Sequence, residues 1–464
     1  MNRKSFQLAC TIGFTLLVAV GTAHAKATPE EIARLGKSLT CLGAEKAGTV
    51  SGVAEYTGKW LGAAPGMSTE PGRHPTDPYA DEKPLFTITA KNVAQYAERL
   101  SEGQKALFKK FPDTYQMHVY PSHRDFRFDD SMCKIAAQNA ASAAMTPDGM
   151  GVLNGFIGAV PFPFPKSGLE LVWNSLLPVR AAWDYRDTDT VVVYPNGSTM
   201  RGWQIFWGYS RVSDPRLRGA PYEGLSSATL AIALLPEREK GTVKLIYDYF
   251  NYNVNSRQGW FYNPDTRRVR QLPGYGYDQS IESAGGTVTV DDVRLFNGPP
   301  DRYQWKIAGK RELYIPYNGF KLEGKAAGEN KYAKLLTPGH ENSDFVRWEL
   351  HRVWVLEATL KEGYRHLYPR RTFFLDEDTW LATMADNFDA RGKLWRYNWL
   401  NVYYVPGPNI FNAGTSFYHD LDSGAYSAFD LAQAKAKSYI VNPAGVDYDK
   451  VDFYTIEHMK SIGY

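Results

Sequence analysis

The chain has 464 residues, with 53 Lys and Arg against 50 Asp and Glu, a formal charge of +3, and 14% aromatic residues including 12 Trp and 30 Tyr. That balance carries no basic excess for nucleic acid, and nothing after the first two dozen residues is long and apolar enough to span a bilayer. The length suffices for a large core or for two or three domains, and the aromatic content suits β-sheet surfaces and apolar or carbohydrate ligands.

The first residues, MNRKSFQ, are basic; LACTIGFTLLVAVG is apolar; GTAHA ends on an A-x-A-like site. This pattern predicts a signal peptide over residues 1–25, cleaved after Ala25. Loss of Arg3 and Lys4 takes the charge from +3 to +1. Cys10 precedes the apolar centre instead of following it, so lipidation is not expected. Cys41 and Cys133 remain, and two thiols in an exported chain are most simply one disulfide. Two Cys alone would under-ligand a metal, and no metal is expected.

Thr28-Pro29-Glu30-Glu31 opens a short helix. Residues 40–83 are rich in Gly and Pro and read as an irregular segment draped over the body, pinned by Tyr56 and Trp60. DEKPLFTITAKNVAQYAERLSEGQKALFKKFP predicts a helix pair, the first capped by Thr89, the second opened by a Ser101–Gln104 capping box. Met117–Tyr120 reads as a brief strand and residues 130–144 as a third helix. In PFPFPKSGLELVWNSLL, Leu169, Val172, Trp173, Leu176 and Leu177 make one apolar face, which fits either a core helix or a lid over an apolar sheet. Strands follow: a hairpin turning at Asn196-Gly197, then 225–235, 242–254, a hairpin over 259–270, and a strand within FNGPPDRYQWKIAGKRELYIP. A polar loop runs to Asn342.

Residues 345–399 read as four antiparallel strands separated by turns at 361–363, 376–378 and 389–392. Centring each turn on its own residues puts Trp354 opposite Arg371, Arg352 opposite Phe373, and Arg371 opposite Met384 and diagonal to Asp386. One face then holds ten candidate ligand-binding residues, Trp348, Leu350, Arg352, Trp354, Arg371, Phe373, Met384, Asp386, Trp395 and Tyr397, together with Leu367. Two readings stay open for its polar members: a buried ion pair among aromatics, or an apolar ligand site with a few polar anchors. In this register Arg371 has Asp386 as partner, whereas Arg352 has no acid on the face. It is therefore the candidate anchor for an anionic head group, with the Trp row holding an apolar tail. After Tyr404 the chain reads as loop-rich.

No G-x-G-x-x-G, Walker loop, H-E-x-x-H or G-x-S-x-G is present. Asp376, Glu377 and Asp378 are consecutive and read as a solvated turn, not as a hydrolase pair. His118 and His123 make one pair and no metal site. His351 falls on the face opposite the Trp row. No catalytic residue and no cofactor is expected.

The stretches DEKPLFTITAKNVAQYAERLSEGQKALFKKFP, PFPFPKSGLELVWN, FNGPPDRYQWKIAGKRELYIPYN and RWELHRVWVLEATL…RRTFFLDEDTW…DARGKLWR resemble the domain-of-unknown-function family 1329. The resemblance implies an α+β fold, distantly like the lipoprotein carrier LolA: a curved antiparallel half-barrel with helices over its concave face. It implies one large domain over residues 26–464, with an N-terminal helical and irregular segment over 26–150. It also implies a periplasmic carrier or adaptor for hydrophobic, lipid-like molecules, working with a resistance-nodulation-division transporter and an outer-membrane protein. LTCLGAEKAGT departs from the family at Cys41, where a Pro-containing stretch is expected. The alternatives are an envelope hydrolase acting on a glycan or lipid, and a non-catalytic structural protein.

Overall fold

The computed structural model describes residues 26–272, 274–325 and 331–464; the expected signal peptide lies outside the described residues. Its strands are β1 (Phe86–Ile88), β2 (Met117–Tyr120), β3 (Ala144–Met145), β4 (Val152–Leu153), β5 (Trp183–Val193), β6 (Thr199–Ser210), β7 (Leu225–Leu235), β8 (Val243–Tyr249) and β9 (Gln258–Asn263). They continue with β10 (Arg268–Gln271), β11 (Tyr303–Pro316), β12 (Trp348–Leu360), β13 (Arg370–Asp376), β14 (Ala382–Phe388), β15 (Leu394–Val405), β16 (Ile410–Asp420), β17 (Tyr426–Leu431) and β18 (Ile440–Val441). The helices are α1 (Pro29–Ile32), α2 (Glu102–Lys110), α3 (Asp130–Ser142), α4 (Gly168–Leu176), α5 (Phe320–Glu323), α6 (Lys331–Leu335) and α7 (Ile456–Ile462).

All the strands but β3 and β4 form one sheet, in the order β1-β2-β12-β13-β14-β15-β16-β17-β5-β6-β7-β8-β9-β10, with β11 on β12 and β18 on β5. Pairing is antiparallel throughout this sheet except where β2 meets β12. The sheet is open and curls on itself: side chains from β5, β7 and β8 and from β14, β15 and β16 line one inner cavity. The fold is α+β, a curved antiparallel sheet carrying helices. Residues 26–150 are not a separate layer, since β1 and β2 are strands of the same sheet.

Local chemistry explains most elements. Asn196-Gly197 closes the β5–β6 hairpin, with Gly197 at φ 82°, a conformation that costs glycine nothing. Ser101 and Gln104 cap α2 reciprocally. The segment expected as a helix capped by Thr89 forms a 3-10 helix, Val93–Arg99, with Asn92 in the N-cap position. The stretch after Tyr404, expected as loop, holds the long strand β16 and then β17. The Pro406-Gly407-Pro408 turn, where proline cannot donate to a ladder, and residues 421–425 and 432–439 are irregular as expected.

Both faces of the central meander are buried; every residue of β14 is buried. The loop at residues 287–298 and the end of α4 fill the inner face, with Phe296 against Phe373 at 5.8 Å between ring centroids. The opposite face of β14 and β15 receives α2. At the far end α7 buries Met459 against a separate cluster of Tyr209, Leu230, Leu245 and Tyr262. Cys41 is disulfide-bonded to Cys133 of α3, with Cα atoms 4.6 Å apart. The irregular segment is thus tied to the body.

The expected meander register is corrected at two turns. Val353 pairs with Asp376 and Ala358 with Arg371, so the β12–β13 connection spans residues 361–369. That is a four-residue slide, which preserves the face but leaves Leu367 outside the strand and exposed. Phe374, not Arg371, pairs with Met384, and the register shifts again at Leu375–Ala382. The turn is wider than two residues: Asp376 accepts from the amide and hydroxyl of Thr379, and Trp380 sits at φ 62°. An odd slip exchanges faces. Arg371 and Phe373 therefore point one way, while Met384, Asp386 and Tyr397 point the other.

Candidate functional site

Arg371 is buried among acids that the four strands do not supply. It donates to Asp291 at 2.9 Å, Asp292 at 2.7 Å, Asn387 at 2.8 Å and the Leu295 carbonyl at 3.0 Å. Burial raises the Asp291 pKa, but Arg371 and His366 outweigh it and hold this carboxyl below the usual range. Asp386, the partner expected for Arg371, instead accepts from the Glu102 and Gly103 amides at 3.0 Å each and from the Ser101 hydroxyl at 3.2 Å. It anchors the N-terminus of α2, where backbone donors are free. Burial pushes its carboxyl up to about 7 against those bonds. Gly103 has to be glycine here, because a Cβ would lie 2.0 Å from the Tyr397 ring.

Arg352 does have an acid. Its Nε donates to Glu377 at 2.5 Å and its other nitrogens donate to the Glu45 and Ala47 carbonyls at 2.5 and 3.0 Å. It ties the irregular segment to the sheet and faces no cavity. Trp354 stacks on Trp380, and Trp348 packs on Trp399. Leu350 and Met384 are buried, and Trp395 donates to Asp420 at 3.1 Å. None of the ten candidate residues lines the cavities described below.

The turn of Asp376, Glu377 and Asp378 is buried, not solvated. Arg124 takes both oxygens of Asp378, at 2.7 and 2.8 Å, while Arg352 and Lys310 hold Glu377. His351 lies opposite the Trp row as expected and is buried against Tyr317, with ring centroids 4.0 Å apart. Among the described residues, His351, Asp376 and Asp378 are the group whose ligand atoms converge, within 4.8 Å. Asp378 is committed to a bidentate arginine, so the set is a poor cation site. Burial, then the charge of Asp378, pushes Asp376 up to about 7.

The open space lies elsewhere. A groove of about 440 Å³ runs between the irregular segment at residues 67–76 and the β15–β16 turn at 403–410, over a floor that includes Met132, Val179, Trp183 and Val441. Its walls come from prolines and aromatics, Pro71, Pro75, Tyr403, Pro406 and Pro408 among them. Proline lacks the amide that would demand a partner, so at these positions the loops present carbon to the groove, beside polar residues such as Ser68, Thr69 and Asn409. Asn409, at φ 54°, fixes the turn by accepting from the Gly62 amide at 2.5 Å and the Tyr404 hydroxyl at 2.8 Å. The Ser438 amide bonds the Gly72 carbonyl at 2.8 Å and closes the other wall. Behind the groove lies a smaller cavity of about 70 Å³, lined by Trp173, Leu176 and Leu177 at the end of α4, by Phe296 and Leu400, and by Asp184, Asp248 and Arg294. Arg180 lines both spaces. Helix α4 thus serves as core and also walls a cavity, its Trp173 donating to the Gly149 carbonyl at 2.9 Å. Sequence reasoning missed the groove because its lining sits in segments without periodicity; the aromatic-proline run Tyr403 to Pro408 was the available signal.

A family model described as protein of unknown function DUF1329 matches residues 87–460. The chain belongs to the DUF1329 family. Among curated relatives of this DUF1329 chain, the uncharacterized protein PA3922 of Pseudomonas aeruginosa is 37% identical over 435 residues, covering 92% of each chain. Three solved structures are similar at low identity. A DUF1329 family protein from Desulfovibrio piger matches at 13% identity and a TM-score of 0.39, over 60% of this chain and 92% of that one. A putative outer membrane lipoprotein-sorting protein domain from Vibrio parahaemolyticus matches at 12% and 0.41, over 63% and 98%. A LolA superfamily protein from Nitrosomonas europaea matches at 10% and 0.36, over 63% and 100%. Likeness at this level is too loose to carry a function.

Proposed function

We propose that this protein is an exported, periplasmic carrier that holds a hydrophobic molecule in the groove between residues 67–76 and 403–410. One observation carries this reading: a groove of about 440 Å³ whose lining combines Tyr, Trp, Pro, Val and Met with polar and charged groups, among which Arg218 is paired with Asp129 and Arg73 with Glu70. This is the size and composition of small-molecule sites, which span roughly 300–1,000 Å³. The disulfide fits an oxidising compartment. The reading is non-catalytic: of the acids that converge near His351, Asp378 is taken by Arg124 and Asp376 accepts from Thr379 inside a buried turn that opens on neither cavity. The family resemblance adds a transporter of the resistance-nodulation-division class and an outer-membrane protein as partners for the loaded carrier.

Native mass spectrometry of protein purified from the periplasm tests the carrier reading. An apolar molecule should co-purify, and a solvatochromic apolar probe should bind the stripped protein. Val441→Trp fills part of the groove floor and should abolish both while leaving the melting temperature close to that of the parent. Probe binding unaffected by that substitution would place any ligand elsewhere and remove the basis of the proposal.

A further inference from the structure

Two cations bordering these cavities have no ion-pair partner among the described residues, and Asp430, the acid whose charge reaches Arg294, is itself bonded by Arg186 at 2.8 Å. The buried arginines elsewhere are paired: Arg124 with Asp378, Arg186 with Asp184 and Asp430, Arg347 with Glu349, Arg371 with Asp291 and Asp292. Arg180 donates from Nε to the Ser210 hydroxyl at 3.3 Å, and its guanidinium has no carboxylate partner among the described residues. Arg294 lines the inner cavity, and its side chain makes no hydrogen bond or ion pair among the described residues. Its backbone is held at φ 58°. Burial lowers the Arg294 pKa from the ordinary arginine value, yet a guanidinium stays charged in a protein. The acids that share the inner cavity are already used: Asp184 is bonded by Arg186 at 2.7 Å, and Asp248 faces Arg257 at 3.4 Å. Both residues are part-exposed, and a guanidinium without a carboxylate at the lining of a cavity is free to receive an anionic group that enters it.

Arg180 stands where the two spaces meet, with apolar walls on the groove side and Arg294 on the inner side. We infer that the ligand of this groove is an anionic amphiphile, whose carboxylate or phosphate is received by Arg180 and Arg294 while its apolar chain lies along the groove. The inner cavity of about 70 Å³ has the volume of about two waters, enough for a small oxyanion and too little for a chain. Planar guanidinium forks suit carboxylate and phosphate oxygens. This inference rests on the carrier reading and adds the chemistry of the head group.

The test compares hexadecanoate, hexadecyl phosphate, hexadecanol and inorganic phosphate as displacers of an apolar probe and as ligands in calorimetry. The stripped parent protein should bind both anionic amphiphiles about tenfold or more tightly than the alcohol, a ratio equal to 1.4 kcal/mol. Arg180→Met and Arg294→Met should bring that ratio near one with alcohol affinity unchanged, and Arg180→Lys should keep most of it. Equal binding of alcohol and anionic amphiphiles by the parent would overturn the anchor and leave the carrier reading standing. Binding of none of the three amphiphiles would overturn both. Inorganic phosphate binding as tightly as hexadecyl phosphate, and lost in the Met variants, would identify a free-anion site and overturn the amphiphile.

Discussion

Replacing Arg371 by Met keeps much of the side-chain volume and strips Asp291 and Asp292 of their common cation. Four donated bonds go, two of them to carboxylates, at a site without solvent exposure. Removing one member of a buried pair costs about 3–5 kcal/mol. Asp291 keeps His366 and Thr289, and Asp292 keeps the Tyr368 hydroxyl, which favours the lower half of that range. Unfolding entropy near 2.1 cal/mol/K per residue makes roughly 1 kcal/mol per degree for a chain of this length, so the melting temperature should fall by about 3–4 °C. The decisive measurement is a double-mutant cycle in urea. R371M with Asp291→Asn should show coupling above about 1 kcal/mol, and R371M with Asp386→Asn should be additive. Because Asp291 is held below the usual range, its stabilisation is present above the unfolded carboxylate pKa and is lost as pH falls through the lower folded value. Coupling of Arg371 to Asp386 instead of Asp291 would refute the register and the network together.

Asp386 gives the opposite pH signature. Its folded pKa is raised to about 7 from 3.8, so its contribution is full below about pH 4 and is lost as pH rises through 7; stability measured across that window should decline less in Asp386→Asn than in the parent. Gly103→Ala drives a Cβ into Tyr397 and Asp386 and should destabilise by about 1–3 kcal/mol, and a change within 0.5 kcal/mol would contradict the close approach. The disulfide closes a separation of 92 residues, for which the chain-entropy model gives about 4–5 kcal/mol. Cys41→Ser with Cys133→Ser should lower stability toward that figure, and alkylation of both thiols in denatured, unreduced protein would show that the bond does not form.

What could be read from the sequence was what neighbouring residues decide. The Ser101–Gln104 capping box, the Asn196-Gly197 hairpin and the strand 225–235 need no knowledge of the rest of the chain. The meander's strands were legible for the same reason, and its register was not. The β12–β13 connection is held open by distant groups: the Leu367 amide donates to Asp278 at 3.1 Å, and the Tyr368 hydroxyl donates to Asp292 at 2.9 Å. Those acids come from a stretch without strong periodicity, and one of them, Asp292, is with Asp291 the partner that Arg371 takes instead of Asp386. Alternation assumes that one face is wet, yet α2 covers one side of β14 and the 287–298 loop the other. Hydrophobicity could not therefore reveal the slip. The groove stayed invisible because prolines and an Asn turn shape it, while the ten residues assigned to it hold the sheet together.

The pairing of β17 with β5 has a consequence for how the molecule is made. Tyr426 lies opposite Val193, so the seam joining the two halves of the sheet closes a loop of well over two hundred residues. Until that strand has been synthesised, β5 has a bare edge, and so has β16. Loops of this span close slowly, and an unpaired edge invites another chain. A stop between Asp420 and Tyr426 leaves two incomplete sheets, each presenting an unpaired edge to a neighbour.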